Sequence, residues 1–314
     1  MILLIQYTLI FASVLMLVAL GGCFAERSGV INIGLEGIMV IGALGGALVM
    51  KFLPASVGVF PMVAITVAVS ALFGCIFSLF LAVAAINFNA DQTITGTAMN
   101  MLATAGATVA VKAMNTAASN GNDVSSDIAY IHAKDLFIVR FGQFEFNWFM
   151  LVAALCLVIA YVVLYKMKFG LRLRSCGEHP QASASVGINV QKMRYAGVLI
   201  SGLLGGLGGI VYITAGVSVW KFENGVAGFG FLALAVMIFG GWHPLRIALA
   251  ALLFGFLRAL GNVYAGFDFL MMLNIPSVVY NMLPYIISLV VLAFTSKNSR
   301  APKAVGIPYD KGTR

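Results

Sequence analysis

The sequence predicts an all-α fold, a polytopic bundle of about nine membrane-spanning helices in a single domain over residues 1–314. Three observations carry that reading. Hydrophobic residues make up 61% of the chain and charged residues only 10%, where a soluble domain uses about 25% charged residues to wet its surface. Mean hydropathy is +1.00. The apolar residues gather into runs near the ~20 residues that a helix needs to cross a bilayer. Such a composition excludes a soluble enzyme, a disordered regulator and a nucleic-acid-binding domain.

The runs follow one another along the chain. The first, 3–22, is uncharged. Its end, Leu20-Gly21-Gly22-Cys23, looks like a lipoprotein cleavage box, but no Lys or Arg precedes the run as a signal peptide requires, so it reads as a retained helix. The second, 36–52, follows a polar, Gly-bearing stretch that reads as a re-entrant or broken helix. Such backbone is tolerated in a membrane only when buried in protein or lining a cavity. The third, 59–86, is long enough to tilt or run past the bilayer. Runs at 93–112 and 147–166 come next. The run 194–216 contains Gly202, Gly205, Gly206, Gly208 and Gly209. It lacks the Lys-Ser/Thr of a phosphate-binding loop, and its glycines suit close helix packing. The run 226–241 is short and Gly-rich. The run 246–264 holds Arg258, the costliest ionisable residue within any span. It reads as an Arg bonded to a neighbouring helix, with a functional role left open. The run 276–295 is the last.

Charge sets the orientation. Eleven of the 19 basic residues lie in the loop 166–194 and the tail 296–314. The loop 113–146 carries Asp123, Asp127, Asp135 and Glu145 against Lys134 and Arg140. Basic loops stay on the cytoplasmic side, so the first two are expected inside and the third outside. Nine spans then place the N-terminus outside. The net charge of +8 is a topological signal and implies no nucleic-acid partner.

Catalytic constellations are not found. His132, His179 and His243 do not pair with Cys or carboxylates at metal-ligand spacing, and Cys23, Cys75, Cys156 and Cys176 form no such pattern. No metal site, no bound cofactor and no enzyme activity are expected of this chain. Intramembrane ionisable groups are too few for a proton relay, which disfavours an ion-coupled transporter. Uncharged polar residues cluster instead. Asn87, Asn89, Thr93, Thr97 and Asn100 lie at the junction of two runs, and Thr93, Thr97 and Asn100 share one face of a helix. They suit a path for an uncharged, hydrogen-bonding solute. Helix–helix hydrogen bonding is the equal alternative.

Two stretches carry a resemblance. The first runs Glu26-Arg27-Ser28-Gly29-Val30-Ile31-Asn32-Ile33-Gly34-Leu35-Glu36-Gly37. It resembles the signature that follows the first helix in permease subunits of ATP-binding-cassette (ABC) importers for nucleosides and simple sugars, and its Glu-Arg form is most similar to the nucleoside branch. Branched-chain amino-acid permeases have a looser version. The second lies within 169–190: Gly177 and Pro180 break the chain, and Gln181 to Val186 is expected to form a short helix. It resembles the same family's coupling helix, which contacts the ATPase. His179 stands where the family usually has Asn, and Ser183 and Ser185 stand in a usually Ala-rich stretch.

The resemblance implies a type II-like permease of the bacterial cytoplasmic (inner) membrane. Gly177, Glu178, Pro180, Ala182, Ala184, Gly187 and Ile188 would dock an ABC ATPase subunit, which would bind ATP and Mg. Glu26, Arg27, Ser28, Gly29, Asn32, Gly34, Glu36 and Gly37 would form the signature loop. A second permease subunit, identical or paralogous, and an external substrate-binding lipoprotein or periplasmic protein would complete the importer. Nucleosides are the expected substrate; simple sugars, branched-chain amino acids and an ion-coupled secondary transporter are the alternatives.

Overall fold

The computed structural model describes residues 2–130, 137–142, 144–215, 219–267, 271–272, 276–295 and 301–310. His132, Lys297 and Arg300 lie outside them.

Helix α1 spans Ile2–Arg27, α2 Leu35–Phe52, α3 Val59–Ala82 with a π-turn at Val83–Asn87, and α4 Gln92–Ala118. Helix α5 spans Trp148–Tyr165, α6 Lys168–Glu178, α7 Pro180–Ser185 and α8 Val190–Thr214. Helix α9 spans Phe229–Phe239, α10 Pro244–Val263 and α11 Ser277–Thr295. Among the described residues, seven helices are long and apolar enough to cross a membrane: α1, α2, α3 with its π-turn, α4, α5, α8 and α10 with the turn after it. Helix α11 carries Pro284 in its interior.

Two helices, α1 and α8, form the centre. Helix α1 is buried almost without interruption from Phe11 to Glu26, as expected of a helix that is apolar all round. It packs on α8, α10, α9 and α5, while α8 also packs on α2 and α3. The glycines of α8 make these approaches possible. A methyl group on Gly206 would overlap the backbone of α3 at Ser70, and one on Gly42 of α2 would overlap Gly206 itself. Backbone meets backbone there, so the run 202–209 is a packing surface, as its composition predicts.

The run 226–241 proves to contain a half-helix. Helix α9 has 11 residues, about 16 Å at 1.5 Å per residue, against a hydrocarbon core of ~30 Å. Left-handed backbone bounds it at both ends: Gly225, Ala227 and Gly228 before it, Gly241 and Trp242 after it. Helix α4 runs past the expected end at 112 to Ala118, so the loop expected from 113 begins as helix. The exceptions to an all-α fold lie in that loop and just after α8. Strand β1 (Asp127–Ala129) pairs antiparallel with β4 (Val219–Lys221), and β2 (Ile138–Phe141) pairs with β3 (Phe144–Asn147).

In the basic loop, α6 is a helix the sequence reading did not separate from its surroundings. Gly177 does not break it. The break falls at His179, whose extended backbone is what a residue before proline adopts. Pro180 then opens α7, where its missing N–H costs nothing.

Candidate functional site

The signature segment leaves α1 at Arg27 and is irregular until α2 begins at Leu35. Ser28, Gly29, Val30, Asn32 and Gly34 are buried, so this non-helical backbone is enclosed by protein. Its polar groups are bonded to three helices, α1, α8 and α4. Ser28 Oγ donates to Ala25 O at 2.6 Å, and Asn32 Nδ2 donates to Ser201 Oγ of α8 at 2.8 Å. Gln92 of α4 accepts from Ile31 N at 2.7 Å. Asn100 accepts from Gly37 N at 2.7 Å and donates to Ile33 O at 3.0 Å. A methyl group on Gly37 would sit 2.8 Å from Met99 O, and one on Gly96 of α4 would sit 2.8 Å from Gly34 N, so Gly37 and Gly96 let α4 approach.

The two carboxylates of the segment hold the two ends of α9. Glu36 accepts from Gly228 N at 2.8 Å and Gly230 N at 2.7 Å. These are the free N–H groups of a helix N-terminus, which favours negative charge. At the other end, Trp242 Nε1 donates to Glu26 Oε2 at 2.6 Å. Arg27 donates to Trp242 O through Nη2 at 3.1 Å and Nε at 3.3 Å. The half-helix is thus bracketed by residues ten positions apart in one motif. His243 follows Trp242 and packs tilted against the Tyr165 ring at 4.8 Å. Burial, then the Arg246 and Arg27 cations, hold its imidazole below the usual value.

The α6–α7 segment packs on the same motif. Gly177 packs against the Arg27 carbonyl with no room for a side chain. Glu178 Oε1 lies 3.7 Å from Arg27 Nη1. The chain end returns to this point: Ala304 N donates to Gly177 O at 2.8 Å, and Gly306 N donates to Gly29 O at 3.1 Å. Residues 301–310 therefore form a strap across the coupling and signature segments. Arg194 of α8 is buried beside Gly29, with its guanidinium 6.0 Å from the Tyr309 ring centre. Neither the strap nor the burial of Arg194 was legible; in the sequence both are loop charge.

Outward from this junction, α6 and α7 frame an open groove of about 530 Å³, lined by Leu171, Arg172, Glu178, His179, Ala182 and Val186 among others. Leu171 is 64% exposed and Val186 74% exposed. Ala182 and Gly187 are exposed, and Ala184 and Ile188 are half-buried. Gly187 has φ +83°, a turn conformation suited to glycine.

The polar cluster at 87–100 divides. Asn100 is buried and bonded to the signature backbone, as above. Thr93 and Thr97 are exposed, and Thr97 Oγ1 donates to Thr93 O. Asp91 caps α4 by accepting from Thr93 N and Ile94 N. Asn87 accepts from Tyr195 OH at 2.9 Å, and Asn89 turns the chain with φ +50°. Among the described residues no cluster of His, Cys, Asp or Glu could hold a metal ion.

The branched-chain amino acid transport system / permease component family matches residues 4–310. The chain is similar to the guanosine ABC transporter permease protein NupQ of Bacillus subtilis, 42% identical over 98% of this chain and 96% of the relative. It is similar also to the nucleoside ABC transporter permease protein NupC of Lactococcus lactis, 39% identical over 96% of this chain and 95% of the relative. A shorter likeness, 31% over 35% of this chain and 30% of the relative, is to NupB of the same L. lactis strain, also named a nucleoside ABC transporter permease. No solved structure matches. With the family covering the signature segment, the bracketed half-helix and the coupling segment together, the chain belongs to the branched-chain amino acid transport system permease family, and is a multi-pass ABC transporter permease of the cytoplasmic membrane.

Proposed function

We propose that this chain is the membrane-spanning subunit of an ATP-driven importer that moves nucleosides across the cytoplasmic membrane by alternating access. The single observation that carries the mechanism is the joint at Arg27, where the α6–α7 segment, the signature motif and one end of α9 meet. An ATPase subunit docked in the groove beside Glu178 would push on α6. The backbone contact of Gly177 on Arg27 and the Trp242 contacts would pass that push to α9. A switch of this kind needs a partner that binds the two states unequally, and ATP-driven closure of an ATPase pair supplies it. ATP and Mg belong to that subunit; this chain does no chemistry.

Nine crossings, with 166–194 and 296–314 cytoplasmic and 113–146 external, complete the reading of one permease domain over 1–314. Nucleosides as cargo rest on the likeness to the guanosine and nucleoside permeases named above. The second permease subunit is proposed as a paralogue, because one L. lactis strain carries both NupC and NupB. An external substrate-binding lipoprotein would deliver the cargo. Thr93 and Thr97 would line the path.

The test is uptake by cells carrying this chain together with the ATPase and binding protein of its importer. Labelled guanosine should enter in an ATP-dependent manner and resist competition by ribose and leucine. Glu178→Arg should abolish uptake with the protein still in the membrane. Competition by leucine or ribose would move the cargo to amino acids or sugars, and uptake without the ATPase would point to an ion-coupled carrier.

A further inference from the structure

Arg258 found no role in the joint described above. It sits on α10 beside a cavity of about 250 Å³ whose other walls include Tyr7, Phe11, Tyr212, Trp220 and Asn262. That volume lies just under the roughly 300 Å³ at which ligand pockets begin, which suits one small solute. The cavity opens at the end of the bundle remote from the coupling segment. Tyr7 lies twenty residues up α1 from Arg27, and Tyr212 lies twenty-two beyond Val190, each about 30 Å by helical rise. Trp220 belongs to the β1–β4 ribbon at that same end.

We propose that this cavity is a base-recognition site of the permease itself, selective for nucleosides of 6-oxopurines. The proposal rests on the nucleoside reading above and deepens it. Tyr212 and Trp220 meet edge to face at 5.5 Å and both line the cavity, where a base would stack against them; stacking favours any flat base. Arg258 supplies the discrimination. Its Nη1 donates to Asn281 Oδ1 at 2.8 Å, which fixes the guanidinium. Its Nε is buried with no hydrogen-bond partner among the described residues. An Arg fork matches two adjacent acceptors, the O6 and N7 of guanine or hypoxanthine, whereas adenine offers a donor beside N7. An aliphatic amino acid has no flat ring to stack on the aromatic walls, and a simple sugar has no base edge. The site also touches the switching element. Phe229, the first residue of α9, lies 5.5 Å under Arg258 and packs on Phe11 and Tyr212, and the N–H groups beside it are those held by Glu36.

The test measures maximal uptake of guanosine, inosine and adenosine by the complete importer, with membrane abundance of each variant. Maximal rate is the readout, because an external binding protein sets half-saturation. Arg258→Gln is expected to lower guanosine and inosine uptake at least 10-fold more than adenosine uptake. Trp220→Ala is expected to lower all three, and Trp220→Phe to restore them. An equal loss for all three substrates in Arg258→Gln at normal abundance, or no loss, overturns the proposal. If Arg258→Gln fails to reach the membrane, the Trp220 pair decides: wild-type rates in Trp220→Ala overturn it. Leucine uptake lost in Arg258→Gln would show the guanidinium serving a carboxylate and overturn it too. A wild-type importer that takes up no nucleoside defeats the nucleoside reading itself, a result distinct from any variant's.

Discussion

Gly177→Ala is the sharpest perturbation of the coupling joint. The added methyl group would overlap the Arg27 carbonyl oxygen and lie 2.9 Å from its carbon and 3.3 Å from Gly29 N. All of these are backbone atoms, so no side chain can swing aside. Restoring ordinary contact of about 3.5–4.0 Å requires α6 to withdraw by roughly 0.5–1 Å. The Arg27–Glu178 pair, at 3.7 Å, would then pass the ~4 Å reach of an ion pair. Overpacking of this kind costs about 1–3 kcal/mol. If that strain falls on the docked, transport-competent arrangement, uptake should drop about 5- to 150-fold. The assays are uptake by the full importer, substrate-stimulated ATP hydrolysis by the purified assembly, and membrane abundance. Abundance should hold, because the seven long helices are untouched. Gly106→Ala is the control: a methyl group there meets nothing within 4 Å, and its φ is ordinary. Wild-type uptake and coupled hydrolysis in Gly177→Ala, or an equal loss in Gly106→Ala, would refute the argument.

Four further outcomes are expected. Glu36→Gln keeps one acceptor but sets an amide N–H₂ against a helix N–H; with charged hydrogen bonds at about 1.5–3 kcal/mol each, its melting temperature in detergent should fall by several degrees, and an unchanged value would remove Glu36 as an anchor of α9. Gly206→Val inserts a branched side chain between α8 and the backbones of α2 and α3, so membrane abundance should collapse; normal abundance would mean the helices do not meet there. Deleting residues 301–314 removes the hydrogen bonds to Gly177 and Gly29 but no long helix, so uptake should fall severalfold at normal abundance, while full uptake would make the strap incidental. Cysteines at Thr93 and Thr97 should react with small polar thiol reagents and be protected by substrate, and inertness at both would leave that face to lipid or to a neighbouring helix.

Legibility in the sequence followed the kind of physics at work. Apolar runs and loop charge act locally, so long helices appear within a few residues of the predicted runs. The glycines of 202–209 announced close packing because nothing else suits glycine in an apolar helix. The run 226–241 misled by length: composition could not show that left-handed backbone at Gly228 and Trp242 trims the helix to 11 residues. Asn100 and Thr97 looked alike in sequence, yet one is buried against the signature backbone and the other is exposed, because helix rotation depends on what packs beside it. Arg194 was counted as one more loop charge, and its burial arises from segments some 165 residues upstream and 115 downstream, Gly29 and Tyr309.

By itself, the sequence determined that this chain lives in a membrane, which loops carry its charge, and which family its two short motifs resemble. Those properties come from solvent transfer and short patterns, which neighbouring residues settle among themselves. Only the tertiary structure decided that Glu26 and Glu36 hold opposite ends of one half-helix, that the chain end straps Gly177 to Gly29, and that Arg258 faces an aromatic cavity. Each joins residues far apart in the chain, and such contacts form only when all the long helices have packed.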